Sequence, residues 1–364
     1  MRMKRNYGVD FLRILSMFMA VVVHVLGQGG ILRAVEAFSF KFWIVWFLEI
    51  AFHCALNCFA LISGYVMYKS RTKLAKALNI WLQVVFYTIG AVIAVAIIKP
   101  KYIGLSVIAD AIFPITRTHY WYISSYFGLL LFQPLLNLVI EHAERKLMCT
   151  TLLVALVMFS VFPSFLLSDP YCLEYGYSFI WLILLYLVGA YIHKYNIAEN
   201  AKKSTAWLTF AGALLLTFGF QAAMQLFPQD IFPTFEFQGV LLDHTSPTMI
   251  LMGVSLLIAL SKQNFGVFGT KMISFCAPAA LGVYLIHVNK LVWQYLFKDF
   301  AKDFVQYHWV IMILLIFAAA IAIYAVCILV EKVRIWLFKL VKIPVLCQKI
   351  EQWAEKLLNK HIPV

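Results

Sequence analysis

Residues 7–30 read YGVDFLRILSMFMAVVVHVLGQGG, an apolar run that nevertheless carries Asp10, Arg13 and His24. Its length suits a membrane-spanning helix. Charged or titratable side chains in hydrocarbon are expensive and by default mark a site. Spacing sharpens this. Arg13 and His24 are eleven positions apart, which at about 100° per residue is three turns plus roughly 20°. Both therefore share one helical face, about 16 Å apart along the axis. Asp10 lies three positions before Arg13 on the same stripe, where the two can pair and offset each other's charge. One helix thus presents a cation near one membrane surface and an imidazole deeper in. The run closes on His24 and Gly27-Gln-Gly-Gly30, without a short apolar core and cleavage site, so it reads as a retained span.

The remaining composition agrees. Of 364 residues, 63% are hydrophobic and 13% charged, where a soluble globular chain carries about 25% charged residues. The formal net charge of +13 sits in short basic clusters between apolar runs. That is the topogenic pattern of a membrane protein and excludes nucleic acid as the expected partner. The seven cysteines lie mostly inside apolar runs with no Cys-x-x-Cys. They read as small buried hydrophobes, and no metal site is expected.

The fold class expected is an all-α polytopic membrane protein with about ten transmembrane helices. The candidate spans are approximately 8–27, 41–67, 77–98, 120–140, 147–167, 177–194, 205–225, 241–261, 272–295 and 307–330. Residues 102–118, weakly apolar and containing Pro114, are placed at the outer surface. Lys and Arg concentrate in alternate connections, from Arg2, Lys4 and Arg5 to Arg145 and Lys146 and on to the tail. This puts both termini in the cytoplasm. Residues 1–335 form the transmembrane domain. Residues 336–364, where Trp336, Leu337 and Leu340 alternate with Lys339, Lys342 and Lys349, read as a cytoplasmic amphipathic basic tail on the anionic leaflet.

Further polar groups interrupt the spans. In the second, Glu49, His53 and Asn57 recur every four residues and make a stripe that must face protein or a watery cavity. The plainer reading is that they glue helices together. The ninth contains Leu281-Gly-Val-Tyr-Leu-Ile-His287. His287 falls at a height in its span similar to that of His24, which suggests a shared cavity. The fourth opens His119-Tyr-Trp-Tyr122, an aromatic belt at the outer interface.

Together these residues resemble the acyltransferase-3 membrane acyltransferases, in particular the surface-polysaccharide O-acyltransferase type, over nearly the whole length. The most specific element is Arg-x10-His, here Arg13 and His24, preceded by Asp10. Phe59-Ala-Leu-Ile-Ser-Gly-Tyr65, Trp121-Tyr122, Tyr186-Leu-Val-Gly-Ala-Tyr191, Ser246-Pro247 and Tyr284-Leu-Ile-His287 complete the set. The resemblance implies transfer of an acyl group, commonly acetyl, from cytoplasmic acyl-CoA to a hydroxyl of a glycan or related envelope acceptor. Many members carry an Arg-rich segment ending in Arg-x-Pro after the Ser-Gly-Tyr motif. Here Arg71, Lys73 and Lys76 stand there, followed by Ala77-Leu78 without proline.

Acyl transfer to a hydroxyl needs a neutral base, an oxyanion stabiliser and exclusion of water. The expected base is His24, with a covalent acyl-imidazole as the alternative. Arg13, oriented by Asp10, is expected to hold CoA oxygens, and Arg71 and Lys73 to add a positive mouth. His287 joins the catalytic set. Glu49, His53, Asn57, Trp121 and Tyr284 are expected to orient His24 or bind the acceptor. The expected partners are therefore the lipid bilayer, acyl-CoA and a glycan or lipid-linked acceptor. The competing class is a proton-coupled exporter of a lipid-linked sugar, which intramembrane His, Glu and Asn would also suit. It lacks the internal repeat that such transporters carry.

Overall fold

The computed structural model describes residues 5–70, 74–98, 104–166, 168–226 and 240–361, and all regular structure among them is helical. Arg71 and Lys73 lie outside the described residues. The main helices are α1 (Tyr7–Gly27), α2 (Phe40–His53), α3 (Ala55–Met67), α4 (Leu74–Ile98), α5 (Trp121–His142) and α6 (Arg145–Leu166). They continue with α7 (Phe179–Lys194), α8 (Lys203–Leu226), α9 (Pro247–Ser261), α10 (Val267–His287), α11 (Trp309–Leu340) and α12 (Ile343–His361). Eight helical stretches, α2 and α3 together being one, are long and apolar enough to cross a bilayer, and α7 and α9 are shorter apolar helices in the other two expected positions. Leu131, Leu208, Leu215, Leu314 and Leu329 point outward unburied. A belt of large apolar side chains facing away from the core suits lipid as the surrounding solvent.

The bundle is built around α1, which touches α2, α3, α9, both halves of α10, and α11. Asn6 starts it, its side-chain oxygen accepting from Gly8 N and Val9 N at 2.9 and 3.1 Å, which satisfies two otherwise orphaned helix donors. The same side chain donates to the Ser261 carbonyl at 2.9 Å and so ties the start of α1 to the end of α9. Val9, Leu12 and Met19 enter one apolar core, and Met17, Val21, Val22, Val25 and Leu26 enter a second. The apolar side chains of the helix thus weld two halves of the bundle, leaving its polar stripe between them.

The sequence motifs around glycine are packing devices. A Cβ at Gly64 in α3 would run into the Tyr186 carbonyl of α7, and one at Gly189 would run into the Leu61 carbonyl. The two helices cross at backbone contact, as small residues in membrane helices permit. From α5, Asn137 donates to the Met67 and Ser70 carbonyls at 3.2 and 2.9 Å. It caps the open end of α3, while the Tyr186 hydroxyl donates to its amide oxygen at 2.6 Å.

Three expectations about the spans are refined. The second span is present as expected, but its helix is interrupted at Cys54, where φ −70° and ψ 0° separate α2 from α3. The ninth stops at His287 instead of running to 295. Asn289 then starts a short turn (Lys290–Val292), which passes into a π-helical turn, Trp293–Phe297. The last runs past its expected end at 330 to Leu340, and Glu331, just beyond that expected end, is wholly buried. It accepts from Tyr87 Oη at 2.5 Å and Gln83 Nε2 at 3.2 Å, and it pairs with Arg334. A Cβ at Gly282 would strike this carboxylate, so the network also fixes the depth of α10.

Candidate functional site

His24 and His287 meet. His24 Nδ1 stands 3.0 Å from His287 Nε2, and the other nitrogen of His287, Nδ1, is 2.6 Å from the carbonyl oxygen of Val283 one turn earlier. A carbonyl only accepts, so His287 Nδ1 carries a proton. In the neutral ring Nε2 then has the lone pair and accepts from His24 Nδ1–H. That leaves His24 Nε2 as the nitrogen with a free lone pair. His287 is 1% exposed and its α10 turn is held by the Tyr120 hydroxyl, which donates to the Leu285 carbonyl at 2.8 Å. Asn289 in turn donates to that hydroxyl at 2.8 Å. The indole of Trp293 lies edge-on to His24, with ring centroids 5.1 Å apart. His24, His287, Gln28, Trp293, Phe297 and Phe300 line a small recess of about 10 Å³.

A second group approaches His24 from α2. His53 lies close enough for its charge to be felt at His24. Its ring stacks on His244 with centroids 4.6 Å apart, and Glu49 Oε1 is 3.4 Å from its Nδ1. The other carboxylate oxygen, Glu49 Oε2, is buried with no hydrogen-bond partner among the described residues. Asp243 is near enough to feel the charge of His53. Beyond His244 the rings of Tyr177 (5.2 Å) and then Trp121 (4.4 Å from Tyr177) continue the row. Asn57 is fully engaged: its amide donates to the His244 carbonyl at 2.8 Å and accepts from Trp181 Nε1 at 3.2 Å. It holds the His244 segment in place. Tyr284 stands between, 6.3 Å from His287 and 5.8 Å from Tyr122 by ring centroids.

At the opposite end of α1, Arg13 donates to Asp10 Oδ1 at 2.7 Å, and Arg5 donates to Asp10 Oδ2 at 2.6 Å. Lys76 of α4 and Tyr126 of α5 are near enough to feel the charge of Arg13. Two arginines thus share one carboxylate with Lys76 close by, an excess of positive charge that suits an anionic ligand. The expected distribution along α1, cation at one end and imidazole at the other, is present. Each end has gained partners from distant helices.

Sequence reasoning gave no role to His244, Tyr177 or Trp293. The first two sit in irregular segments without periodicity. Trp293 was hidden by the assumption of a straight ninth span. Nothing matches significantly among curated proteins or among solved structures. A family model described as an acyltransferase domain matches residues 6–332, nearly the whole chain. With its Arg13–His24 helix at the centre of a helical membrane bundle, the chain belongs to the acyltransferase-3 family of membrane acyltransferases.

Proposed function

We propose that this membrane acyltransferase moves a short acyl group, acetyl in the simplest case, from cytoplasmic acyl-CoA to a hydroxyl of a cell-envelope carbohydrate. The observation that carries the reading is the His24–His287 pair, which leaves one imidazole lone pair free on a helix whose other end is cationic. In this account Arg13 and Lys76, with Arg71 and Lys73 in the adjoining connection, receive the CoA phosphates. The pantetheine arm runs along α1 over the roughly 16 Å to His24. Asp10 keeps the Arg13 fork oriented toward that path.

The acceptor enters along the row Trp121, Tyr177, His244, His53. Aromatic faces suit the apolar faces of a sugar ring, and the buried Glu49 carboxylate offers its unpaired oxygen to a hydroxyl. Hydroxyl oxygen attacks the thioester carbonyl while its proton passes to His24 Nε2. The imidazolium that forms is stabilised through Nδ1–H by His287 and returns the proton to the departing CoA sulfur. The apolar cores on both sides of α1 exclude water, so the thioester is not hydrolysed.

The test is transfer of label from radioactive acetyl-CoA supplied to inside-out membrane vesicles containing the acceptor glycan. Label on the glycan with the protein present, and none without it, is the expected result. Acceptor movement across the membrane without any acylation returns the chain to the transporter class.

A further inference from the structure

Resting on that reading, we infer that Trp293 is a catalytic residue, its indole N–H being the hydrogen-bond donor that stabilises the oxyanion of the reacting acyl carbonyl. Three observations meet at this side chain. Trp293 Nε1 is buried and has no hydrogen-bond partner among the described residues. The ring lines the same recess as His24 and His287. It also touches the His24 ring edge-on at 5.1 Å.

An unpaired buried N–H is a standing loss of about 1–3 kcal/mol. Tryptophan in membrane proteins ordinarily avoids it by placing the nitrogen at the headgroup level. Here the nitrogen is sealed from solvent, so an interfacial anchor does not account for it. A ligand oxygen does.

The chain takes trouble to hold the ring there. Trp293 N donates to the Asn289 carbonyl at 2.8 Å, and Asn289 is itself tied through Tyr120 to the turn that ends in His287. The Trp293 carbonyl accepts from Lys298 N at 2.9 Å, closing a π turn, a local geometry that recurs at functional sites. Just beyond, Asp299 N and Ala301 N donate to the Gln28 and Gly29 carbonyls, both at 2.9 Å. The segment carrying Trp293 is thereby fastened to the end of the helix that carries His24. A donor fixed before the reaction needs no reorganisation when charge develops, and in a recess walled by Phe297 and Phe300 its effect is not diluted by water.

The step balances as follows. The acceptor oxygen forms a bond to the thioester carbon, and the carbonyl π pair moves onto oxygen, which accepts a hydrogen bond from Trp293 N–H. The acceptor proton is then on His24 Nε2. The carbonyl re-forms, the C–S bond breaks, and CoA sulfur leaves with that proton.

The experiment measures acetyl transfer in vesicles by wild type, Trp293→Phe and a variant with 3-benzothienylalanine at 293, a ring of the same shape without the N–H. Both variants should lose roughly 10²–10³-fold in kcat, with KM for acetyl-CoA within about twofold of wild type. The benzothienyl variant carries the decision if Trp293→Phe fails to fold. Wild-type kcat in that variant overturns the inference, as does a loss confined to KM. Transfer by wild type that is abolished in His24→Ala leaves the proposed function standing in either case, whereas no transfer by wild type removes both.

Discussion

His287 holds its proton against the Val283 carbonyl and turns its bare nitrogen to His24, 3.0 Å away. The consequence is directional. His24 donates from Nδ1 and keeps Nε2 for chemistry, so His287 acts through His24 as a positioning residue.

If that is its role, an acceptor of similar reach restores function. His287→Phe should lower kcat by about 10²–10⁴-fold, and His287→Gln, which retains an acceptor oxygen, should recover at least part of the loss. KM for acyl-CoA should barely move in either. Equal activity in Phe, Gln and wild type would show that the tautomer is set elsewhere.

The cationic end of α1 should behave differently. Arg13→Gln removes a charged hydrogen-bond donor worth about 1.5–3 kcal/mol, so KM for acyl-CoA should rise by about 10- to 100-fold. Lys76→Gln should do less. Raising ionic strength should raise KM in wild type more than in the Arg13 variant. A kcat loss with unchanged KM would take Arg13 out of donor binding.

Glu331 and Gly282 are expected to matter for stability ahead of chemistry. Replacing Glu331 by Gln strands the Arg334 guanidinium in a buried site, a loss of about 3–5 kcal/mol when one partner of such a pair is removed. Replacing both residues by methionine should be milder for the same reason. Gly282→Ala, whose Cβ meets the carboxylate, should also lower the unfolding temperature in detergent. Unchanged melting of Glu331→Gln would mean that the network is dispensable to the fold.

The outer segment contributes a pH dependence. Burial lowers His119 from the ordinary histidine range to a pKa of about 4, with the nearby Lys290 charge adding to the effect. Both ring nitrogens are buried without hydrogen-bond partners among the described residues. The unfolded chain binds the extra proton first, so stability is highest above pH 6.5 and falls as pH drops toward 4. Thermal unfolding at pH 7.5 and pH 5 should show this decline, and His119→Phe should flatten it. An identical decline in the variant would assign the effect to another group.

Much of this architecture is written in the chain. Helical periodicity places Asp10, Arg13 and His24 on one stripe because a helix has a fixed pitch, and hydropathy marks the apolar helices because bilayer thickness fixes their length. What periodicity cannot encode is which helices become neighbours. His53 reaches His244 because α2 stops at Cys54 and the 240–246 segment is held down by Asn57, a contact between irregular pieces. Trp293 comes to His24 because α10 ends at His287 and a new turn starts at Asn289. Glu331 is buried because Arg334, Tyr87 and Gln83 satisfy it. Its proximity to the basic tail in sequence pointed the other way.

The most direct test of the central claim is acetyl transfer from radiolabelled acetyl-CoA to envelope glycan by wild type and His24→Ala in the same vesicles, with acetyl-CoA binding measured in parallel. The account predicts that His24→Ala binds acetyl-CoA as wild type does, since Arg13 is intact, and transfers no label. Equal labelling by the two proteins would contradict it and move the base away from His24.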